Sequence, residues 1–251
     1  MAVIEFKKVT KVYKLYSSEW QKLRYIFNRH TKVKKKTALS SVSFAIEKGE
    51  QVALIGHTGS GKTTLLKMIQ ETAFPTKGEI TKEGNISVMM GYSQGFYSEL
   101  TGRENIYFRG KLLGMTETKI DSFIDEIIEF AELGDYIDQP VRTYSNVMKA
   151  KLGYAFQISS NPDVLVIDGV MSVGEGKYKE KCLKKMHEMC EKEDMTVLLA
   201  THQIKSARAF TKRGIVLDKG KIVFDGDVEE AIEKYTEMST PKDLEEDGEN
   251  E

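Results

Sequence analysis

Long hydrophobic runs, prolines and cysteines are all scarce in this chain of 251 residues, which contains 4 Pro and 2 Cys. Its strongly apolar stretches, such as residues 52–55, 164–167 and 197–200, end after four or five residues. A helix that crosses a bilayer needs about 20, so the sequence predicts no transmembrane helix. The amino-terminal sequence MAVIEFKK has no apolar signal core, which predicts a protein that is not exported.

The two cysteines, Cys182 and Cys190, lie eight positions apart on a predicted helix. An α-helix rises about 12 Å over that interval, which is too far for a disulfide bond. The sequence therefore predicts two reduced thiols, as in a cytosolic protein.

Net charge is nearly absent as well, because 37 Lys and Arg face 38 Asp and Glu. This balance gives no general argument for nucleic-acid binding. The charges are nevertheless uneven: residues 17–36 carry seven basic residues and one acidic residue, whereas residues 239–251 carry six acidic residues and one lysine. The acidic segment has no apolar periodicity, which predicts a solvated, disordered tail.

Short apolar strands alternate with helical stretches, a pattern typical of an α/β protein with a largely parallel sheet. Residues 51–55 form the first clear strand, and a glycine-rich turn leads from it into a helix at about 62–71. Residues 164–167 and 196–200 are near-continuous aliphatic runs, which indicates strands that are buried on both faces.

A different pattern lies between these strands, where apolar residues fall at helical spacing and Thr101 to Glu104 indicate a capping box. At about 150 residues per domain, the length allows one large or two small units. We expect one α/β domain with a helical subdomain inserted in it. The expected boundaries are 1–238 for the domain, about 1–93 and 161–238 for its core, about 94–160 for the helical subdomain, 17–36 for a basic amphipathic insert, and 239–251 for the tail.

A glycine-rich loop follows the first strand and matches the pattern G-x-x-x-x-G-K-[ST], which ends here in Lys62 and Thr63. Glycines allow successive backbone N–H groups to curl around a phosphate, and the following helix N-terminus adds positive potential. In such a loop the lysine reaches the β- and γ-phosphates, and the threonine hydroxyl coordinates Mg²⁺. The pattern therefore predicts a nucleotide site. The loop residues are Gly56, His57, Thr58, Gly59, Ser60, Gly61, Lys62, Thr63 and Thr64.

Two other polar residues stand at the ends of predicted strands. Asp168 follows the apolar run 164–167, and a buried charge needs a cation or a metal. We therefore expect its carboxylate to support the same Mg²⁺. His202 ends the strand 196–201 and would lie at the carboxyl edge where open α/β sheets bind ligands. A lone histidine is usually structural, but this location predicts a γ-phosphate sensor.

Together these elements resemble the ATP-binding subunits of ABC transporters over about residues 2–237, a P-loop NTPase fold. The resemblance rests on the phosphate loop, the strand that ends at Asp168, the pair Thr201-His202, the PTKGEI stretch and their order. Within that superfamily the chain is most similar to exporters of teichoic acids and other cell-surface polysaccharides. The segments that carry this likeness are GFYSELTGRENI (95–106), DYIDQPVRTYS (135–145), KAKLGYAF (149–156), SVGE (172–175) and the basic insert.

The resemblance implies a head-to-tail dimer in which each ATP lies between one subunit's phosphate loop and the other's signature motif. The second ATPase subunit is another copy of this chain or a close paralogue. Two integral-membrane permease subunits are implied as well, together with a peripheral position on the cytoplasmic face of the cell membrane. No nucleic-acid partner is expected.

Several residue roles follow from the same resemblance. Ser145, in the signature motif, serves the ATP of the other subunit. Tyr13 looks like the aromatic residue that stacks on adenine, with Tyr16 as the alternative and a core aromatic as the structural interpretation. Gln94 is similar to the glutamine that binds Mg²⁺ and the attacking water, a residue that many members of this exporter group lack.

The sequence departs from the family at two positions. The family signature approximates [LY]-S-G-G-Q or Y-S-S-G-M, whereas residues 144–148 read YSNVM, with Val147 at the second glycine. The β-branched side chain is expected to hinder backbone approach to the γ-phosphate. The family also places a glutamate after the Asp168 position, as general base, and this chain has Gly169 there.

Loss of a positioned base costs about 10²–10⁴ in rate, and loss of a charge-stabilising donor costs about 10²–10³. The two losses need not multiply, because residues that act as a unit are non-additive. We therefore expect ATP to bind well and to be hydrolysed slowly, unless Glu175, His202 or a partner residue compensates.

The basic insert has an apolar stripe, Trp20, Leu23, Ile26 and Phe27, at the spacing of one helix face. A basic amphipathic helix is typical of an element that docks on a membrane surface or on a partner. The alternative is an ordinary surface helix that packs this stripe on the protein's own core. RNA binding is a weaker alternative, since the basic patch is short.

We interpret the chain as the ATPase subunit of an exporter for a lipid-linked cell-surface polymer, in particular teichoic acid. The first alternative is an ATP-gated regulatory or structural module with little turnover, which dimerisation on ATP without hydrolysis would favour. The second is a soluble ABC ATPase unrelated to transport, against which the apolar stripe argues.

Overall fold

The computed structural model describes residues 1–28, 33–90, 95–169, 173–191 and 195–239. The chain forms two compact units: unit 1 comprises Met1–Glu83 together with the residues from Ala200 onward, and unit 2 comprises Gly84–Leu199. The domain boundaries expected from the sequence stay predictions. Of the predicted acidic tail, only Ser239 lies among the described residues.

Unit 1 begins with an antiparallel sheet of three strands, in which the first strand of the chain lies in the centre. Phe6 lies opposite Phe44 in the register of the two long strands, and their rings stack with centroids 4.7 Å apart. The parallel-sheet pattern did not predict this sheet, because its apolar residues are interrupted by bulges and by lysines and hydroxyl residues. Its strands are β1 (Ala2–Leu15), β2 (Lys34–Glu47) and β4 (Lys77–Lys82).

The rest of unit 1 surrounds the strand that precedes the phosphate loop. This strand, β3 (Gln51–Ile55), pairs in parallel with β8 (Arg213–Asp218), which pairs antiparallel with β9 (Lys221–Asp227). The last helix, α9 (Val228–Met238), packs Ala231, Ile232 and Tyr235 in one buried cluster with Ala53 and Ile55 of β3. The helices of the unit are α1 (Glu19–Phe27), α2 (Lys62–Ile69), α8 (Ile204–Phe210) and α9 (Val228–Met238).

Unit 2 contains the parallel strands β5 (Ile86–Met89) and β6 (Val164–Asp168), with β7 (Thr196–Thr201) next to β6. The aliphatic residues of β6 and β7 are fully buried, as predicted. β7 ends two residues past the boundary of the unit. The helices are α3 (Gly102–Leu112), α4 (Glu117–Asp121), α5 (Ile124–Ala131), α6 (Asn146–Ser159) and α7 (Gly176–Cys190), with 3-10 turns at Gly134–Asp138 and Val141–Thr143.

Aromatic contacts join the helices of unit 2. Phe130 of α5 stacks on Tyr154 of α6 with ring centroids 5.9 Å apart, and the Tyr154 hydroxyl donates to the Cys182 carbonyl oxygen of α7 at 2.9 Å.

Both cysteines are free thiols, which confirms the prediction. Burial raises the pKa of Cys190 to about 11. The capping box is also confirmed, since Thr101 and Glu104 bond reciprocally at the start of α3.

None of the described helices combines the length and the apolarity that a membrane span requires.

Candidate functional site

The predicted phosphate loop runs from the end of β3 into α2. Gly61 adopts φ +119°, and a Cβ added to it would lie 2.8 Å from the Ala38 carbonyl oxygen. Only glycine fits this position without strain. Gly61 is also the N-cap of α2, and no side chain caps this helix. Hydroxyl or carboxylate side chains cap α3, α6 and α9, whereas α5, α7 and α8 lack a side-chain cap as α2 does. What distinguishes α2 is the glycine-rich loop that leads into it. The start of α2 is therefore suited to an external anion.

Inside the loop, the His57 carbonyl oxygen accepts hydrogen bonds from Ser60 N and from Lys62 Nζ, both at 3.1 Å. Lys62 Nζ also donates to the Gly56 carbonyl oxygen. The Ser60 hydroxyl is buried and has no hydrogen-bond partner among the described residues. The Lys62 ammonium lies on the carbonyl oxygens of the loop, and the buried Ser60 hydroxyl is unsatisfied. Both groups are donors of the kind that bind phosphate oxygens.

The loop is attached to the rest of unit 1 by backbone hydrogen bonds. Gly220 N, in the turn between β8 and β9, donates to the Ser60 carbonyl oxygen at 2.8 Å. The Gly220 carbonyl oxygen in turn accepts from Ser40 N of β2 at 2.8 Å. The turn between β8 and β9, itself bonded to β2, thus holds the loop at Ser60.

Thr63 is exposed in the first turn of α2, and its hydroxyl is a hard oxygen ligand of the kind that Mg²⁺ prefers. Asp168, at the end of β6 in unit 2, is partly buried and carries a second such ligand. Within the described ranges, no group of three or more His, Cys, Asp or Glu could hold a metal ion. The Thr63 hydroxyl fits a Mg²⁺ that takes most of its ligands from phosphate and water rather than from the protein, and a role of Asp168 at the same metal ion stays a prediction.

His202 directly follows β7 and lies in unit 1. The Thr201 hydroxyl oxygen accepts a hydrogen bond from Gln203 N at 2.9 Å, which closes a tight turn around His202. The Ser206 hydroxyl donates to the Gln203 side-chain oxygen at 3.1 Å and ties the turn to α8. The turn holds the histidine at a strand end, and its role as γ-phosphate sensor stays a prediction.

Gly169, at the position of the family's glutamate, adopts φ +78°. A residue with a side chain is strained in this left-handed conformation, although none of the described residues lies within 4 Å of an added Cβ. The sequence showed only that the carboxylate is missing. The structure adds that the backbone here is left-handed, a conformation that favours glycine.

The signature motif begins α6. Ser145 is the N-cap, and its hydroxyl oxygen accepts from Met148 N at 3.2 Å. A hydroxyl that accepts in this way can still donate its proton, so Ser145 remains able to bind a phosphate oxygen. Val147 is 52% exposed in the first turn of the same helix. Its isopropyl group therefore faces outward where the family has only backbone.

The two candidate adenine-stacking residues differ in their surroundings. The Lys11 ammonium lies 5.0 Å from the centre of the Tyr13 ring, which stands on β1 opposite Lys36. The Tyr16 ring makes an edge contact with Tyr25 of α1, with centroids 5.8 Å apart. Tyr16 is thus engaged with its own insert, whereas the role of Tyr13 stays a prediction. Gln94 lies outside the described residues.

Residues 19–27 of the basic insert form the predicted helix, α1, which the Ser18 side chain caps. Residues 34–36, expected in the insert, belong instead to strand β2. Tyr25 makes an edge contact with Tyr16, the residue that follows β1, and the Lys14 ammonium lies 4.5 Å from the Tyr25 ring centre. No residue of α1 is buried. The apolar stripe is therefore not packed on a core, which contradicts the surface-helix alternative. Its exposed fractions are 81% for Trp20, 45% for Leu23, 63% for Ile26 and 88% for Phe27.

One arrangement in unit 2 was not predicted. The Arg109 guanidinium of α3 lies between the rings of Phe96 and Phe156, 5.0 and 4.8 Å from their centres. Burial lowers the pKa of Arg109 to about 10. No sequence signal marks this contact, because the three residues are brought together only by the fold.

Comparison with known proteins agrees with these features. The ABC transporter family profile matches residues 39–172. The teichoic acids export ATP-binding protein TagH of Bacillus cereus is 41% identical over 232 residues, which cover 92% of this chain and 42% of that protein. The O-antigen export system ATP-binding protein RfbB of Klebsiella pneumoniae is 37% identical over 239 residues, covering 93% and 97%. This chain thus spans less than half the length of the Bacillus relative.

Solved structures show the same fold at low identity. The ATP-binding cassette MJ0796, determined as a dimer in a post-hydrolysis state with ADP and Pi, superposes with a TM-score of 0.70 at 23% identity, covering 90% of this chain and 98% of that one. The ATP-binding subunit of an ABC transporter gives a TM-score of 0.72 at 20% identity, covering 96% and 97%. The fold is that of ABC ATPase cassettes.

Proposed function

The chain belongs to the ABC transporter family, and from that premise we propose that it is the ATP-binding subunit of an exporter for a cell-surface polymer. The polymer is teichoic acid or a related lipid-linked polysaccharide, as the names of its relatives indicate. The observation that carries the proposal is the phosphate loop, an uncapped helix start with Lys62 folded over it.

ATP and Mg²⁺ are the ligands of the proposed site. Lys62 and the backbone of the loop bind the triphosphate, and the Thr63 hydroxyl binds Mg²⁺, which neutralises phosphate charge during hydrolysis. Asp168 supports the same metal ion, and His202 senses the γ-phosphate. These roles are supported by the residue types and by their positions at strand and helix ends.

A second ATPase subunit, either another copy or a close paralogue, completes each site with its own Ser145. In a homodimer both sites would contain Gly169 and Val147. In a heterodimer with a paralogue that keeps the family's glutamate and glycine, each site would contain one of these two changes. Hydrolysis is therefore slow in either assembly. The dimer is supported by the dimeric form of the MJ0796 cassette.

Integral-membrane permease subunits are the proposed partners, and the chain acts at the cytoplasmic face of the cell membrane. Helix α1 supports this assignment, because its apolar stripe is exposed beside basic residues that include Lys22 and Arg24. Such a surface suits a membrane partner or an anionic headgroup region.

A second candidate function is an ATP-gated regulatory module, in which ATP closes the dimer and is rarely hydrolysed. The left-handed backbone at Gly169 favours it, because that conformation disfavours a side chain at the position of the general base. Tight ATP-dependent dimerisation without release of inorganic phosphate would distinguish this module from a transport motor.

The test is made in cells that lack the protein, with the surface polymer quantified by its phosphate or sugar content. We expect wild-type protein to restore the polymer and Lys62→Ala to fail, because Lys62→Ala weakens binding of the triphosphate. A Trp20→Asp and Phe27→Asp variant should bind MgATP normally and also fail to restore the polymer. Unchanged polymer in cells without the protein would rule out the proposed export function.

A further inference from the structure

The ring of His57, the second residue of the phosphate loop, lies against the end of α9. Its centroid is 4.7 Å from that of the Tyr235 ring. One nitrogen, Nδ1, is 3.2 Å from the Tyr235 hydroxyl oxygen, and the other, Nε2, is 3.4 Å from the Ser239 hydroxyl oxygen. Both ring nitrogens thus face hydroxyl groups of the same short segment, which is 178 residues away in the chain.

The contacts of this cluster fit one arrangement of hydrogen positions. The Ser239 hydroxyl donates its proton to the Tyr235 carbonyl oxygen at 2.7 Å, so its oxygen accepts from Nε2–H of His57. A neutral imidazole that carries its proton on Nε2 has an acceptor at Nδ1, to which the Tyr235 hydroxyl donates. The hydrogen bonds form a closed ring that begins and ends on Tyr235.

The helix that carries this ring is itself fixed. Tyr235 is 2% exposed, and it shares a buried cluster with Ala53 and Ile55 of β3, the strand that leads into the loop. The strand and the side chain of His57 are therefore held by one helix face. The loop pattern allows any residue at position 57. A histidine there is explained by its contacts, because each ring nitrogen meets one hydroxyl, that of Tyr235 or of Ser239.

The consequence for the loop comes through the His57 backbone. Its carbonyl oxygen accepts from both Ser60 N and Lys62 Nζ at 3.1 Å. We propose that Tyr235 and Ser239 are positioning residues of the nucleotide site, which orient His57 and thereby the turn from which Lys62 reaches a bound phosphate. Their role depends on the proposed nucleotide function of the loop.

Tyr235→Phe tests the proposal, because it removes the hydroxyl and keeps the ring that packs near β3. We expect the dissociation constant of MgATP, measured by equilibrium titration of the full chain, to rise about three- to tenfold, as for the loss of one hydrogen bond that orients a loop. Tyr154→Phe is the matched control, since it deletes a buried hydroxyl that bonds to a carbonyl oxygen in unit 2. That variant should lose similar thermal stability and bind MgATP unchanged.

Ser239 provides a second, independent variant. Ser239→Ala should weaken MgATP binding in the same direction, and Ser239→Thr, which keeps the hydroxyl, should restore it. If Tyr235→Phe does not fold, these two variants decide the question by the same titration. Equal affinity of Ser239→Ala and wild type would then overturn the proposal.

A double-mutant cycle distinguishes positioning from general stabilisation. In a His57→Leu background, Tyr235→Phe should weaken MgATP binding no further, because its effect passes through the histidine ring. Additive losses, or a lower melting temperature with an unchanged dissociation constant, would overturn the proposed role. Lys62→Ala separates the two levels. If Lys62→Ala leaves MgATP binding unchanged, both the proposed nucleotide site and the proposed role of Tyr235 are wrong. If Lys62→Ala weakens binding strongly and Tyr235→Phe has no effect, only the proposed role of Tyr235 is wrong.

Discussion

The phosphate loop of unit 1 and the strand and helix ends of unit 2 differ in how much of the family chemistry they keep. The loop has its lysine, its hydroxyl residue at Thr63 and a glycine at the helix N-cap. In unit 2, Gly169 stands where the family has a carboxylate, and Val147 stands where it has glycine. The residues proposed to bind the triphosphate are thus present, whereas those proposed to promote its hydrolysis are changed, and we therefore expect binding without rapid turnover.

The largest expected effect follows from replacing the missing base. Gly169→Glu should raise the kcat for ATP hydrolysis about 100-fold, the lower end of the contribution of a positioned base. Gly169→Ala is the matched control, because it imposes the same backbone strain at φ +78° without a carboxylate. The rates are compared by phosphate release from the assembled transporter. Equal rates for the two variants would show that the glycine does not limit turnover.

On the binding side of the comparison, Lys62→Ala should raise the dissociation constant of MgATP about 10- to 100-fold, as expected when hydrogen bonds from a charged donor are lost. Lys67→Ala is the control, since Lys67 is an exposed lysine of the same helix. The measurement is equilibrium titration with a fluorescent ATP analogue. Similar affinities for both variants would remove the loop from the nucleotide site.

At the signature motif, Val147→Gly should raise the rate of ATP-dependent dimerisation and hydrolysis about tenfold, as expected when a steric cost of about 1–2 kcal/mol is relieved. It removes the exposed side chain that hinders approach to the partner's ATP. Val147→Ala should give an intermediate rate, since it keeps a Cβ and the helix propensity. Dimerisation is followed by light scattering with and without MgATP. A slower reaction in Val147→Gly would contradict the proposed hindrance.

The smallest effect concerns stability alone. Thr101→Ala breaks the capping box of α3 and should cost about 1 kcal/mol of the free energy of unfolding, while MgATP affinity stays unchanged. Thr118→Ala, an exposed threonine in α4, is the control. Chemical denaturation measures both variants. A change in MgATP affinity on Thr101→Ala would show that the helices of unit 2 influence the phosphate loop of unit 1. The two regions would then not be independent.

Features that depend on neighbouring residues were predictable from the sequence. The loop between β3 and α2, the capping box at Thr101 and the helix at Trp20–Phe27 each have a local pattern of spacing and residue type. Burial on both faces explains why β6 and β7 could be recognised from their aliphatic runs.

Features that depend on distant contacts were not predictable. Tyr235 has the helical spacing of any core residue, and nothing in its neighbourhood points to His57. The antiparallel sheet of β1, β2 and β4 was missed because bulges interrupt the alternation of buried and exposed residues. At Gly169 the sequence revealed the absent carboxylate but not the left-handed backbone, which only the conformation shows.

The central claim is that this chain binds MgATP through its phosphate loop and hydrolyses it slowly. The most direct measurement combines equilibrium binding of MgATP with phosphate release in the same purified sample of the transporter complex. We predict saturable binding that Lys62→Ala weakens strongly, with phosphate release that Gly169→Glu accelerates. Failure to bind MgATP at millimolar concentration, or release from wild type as fast as from Gly169→Glu, would contradict the account.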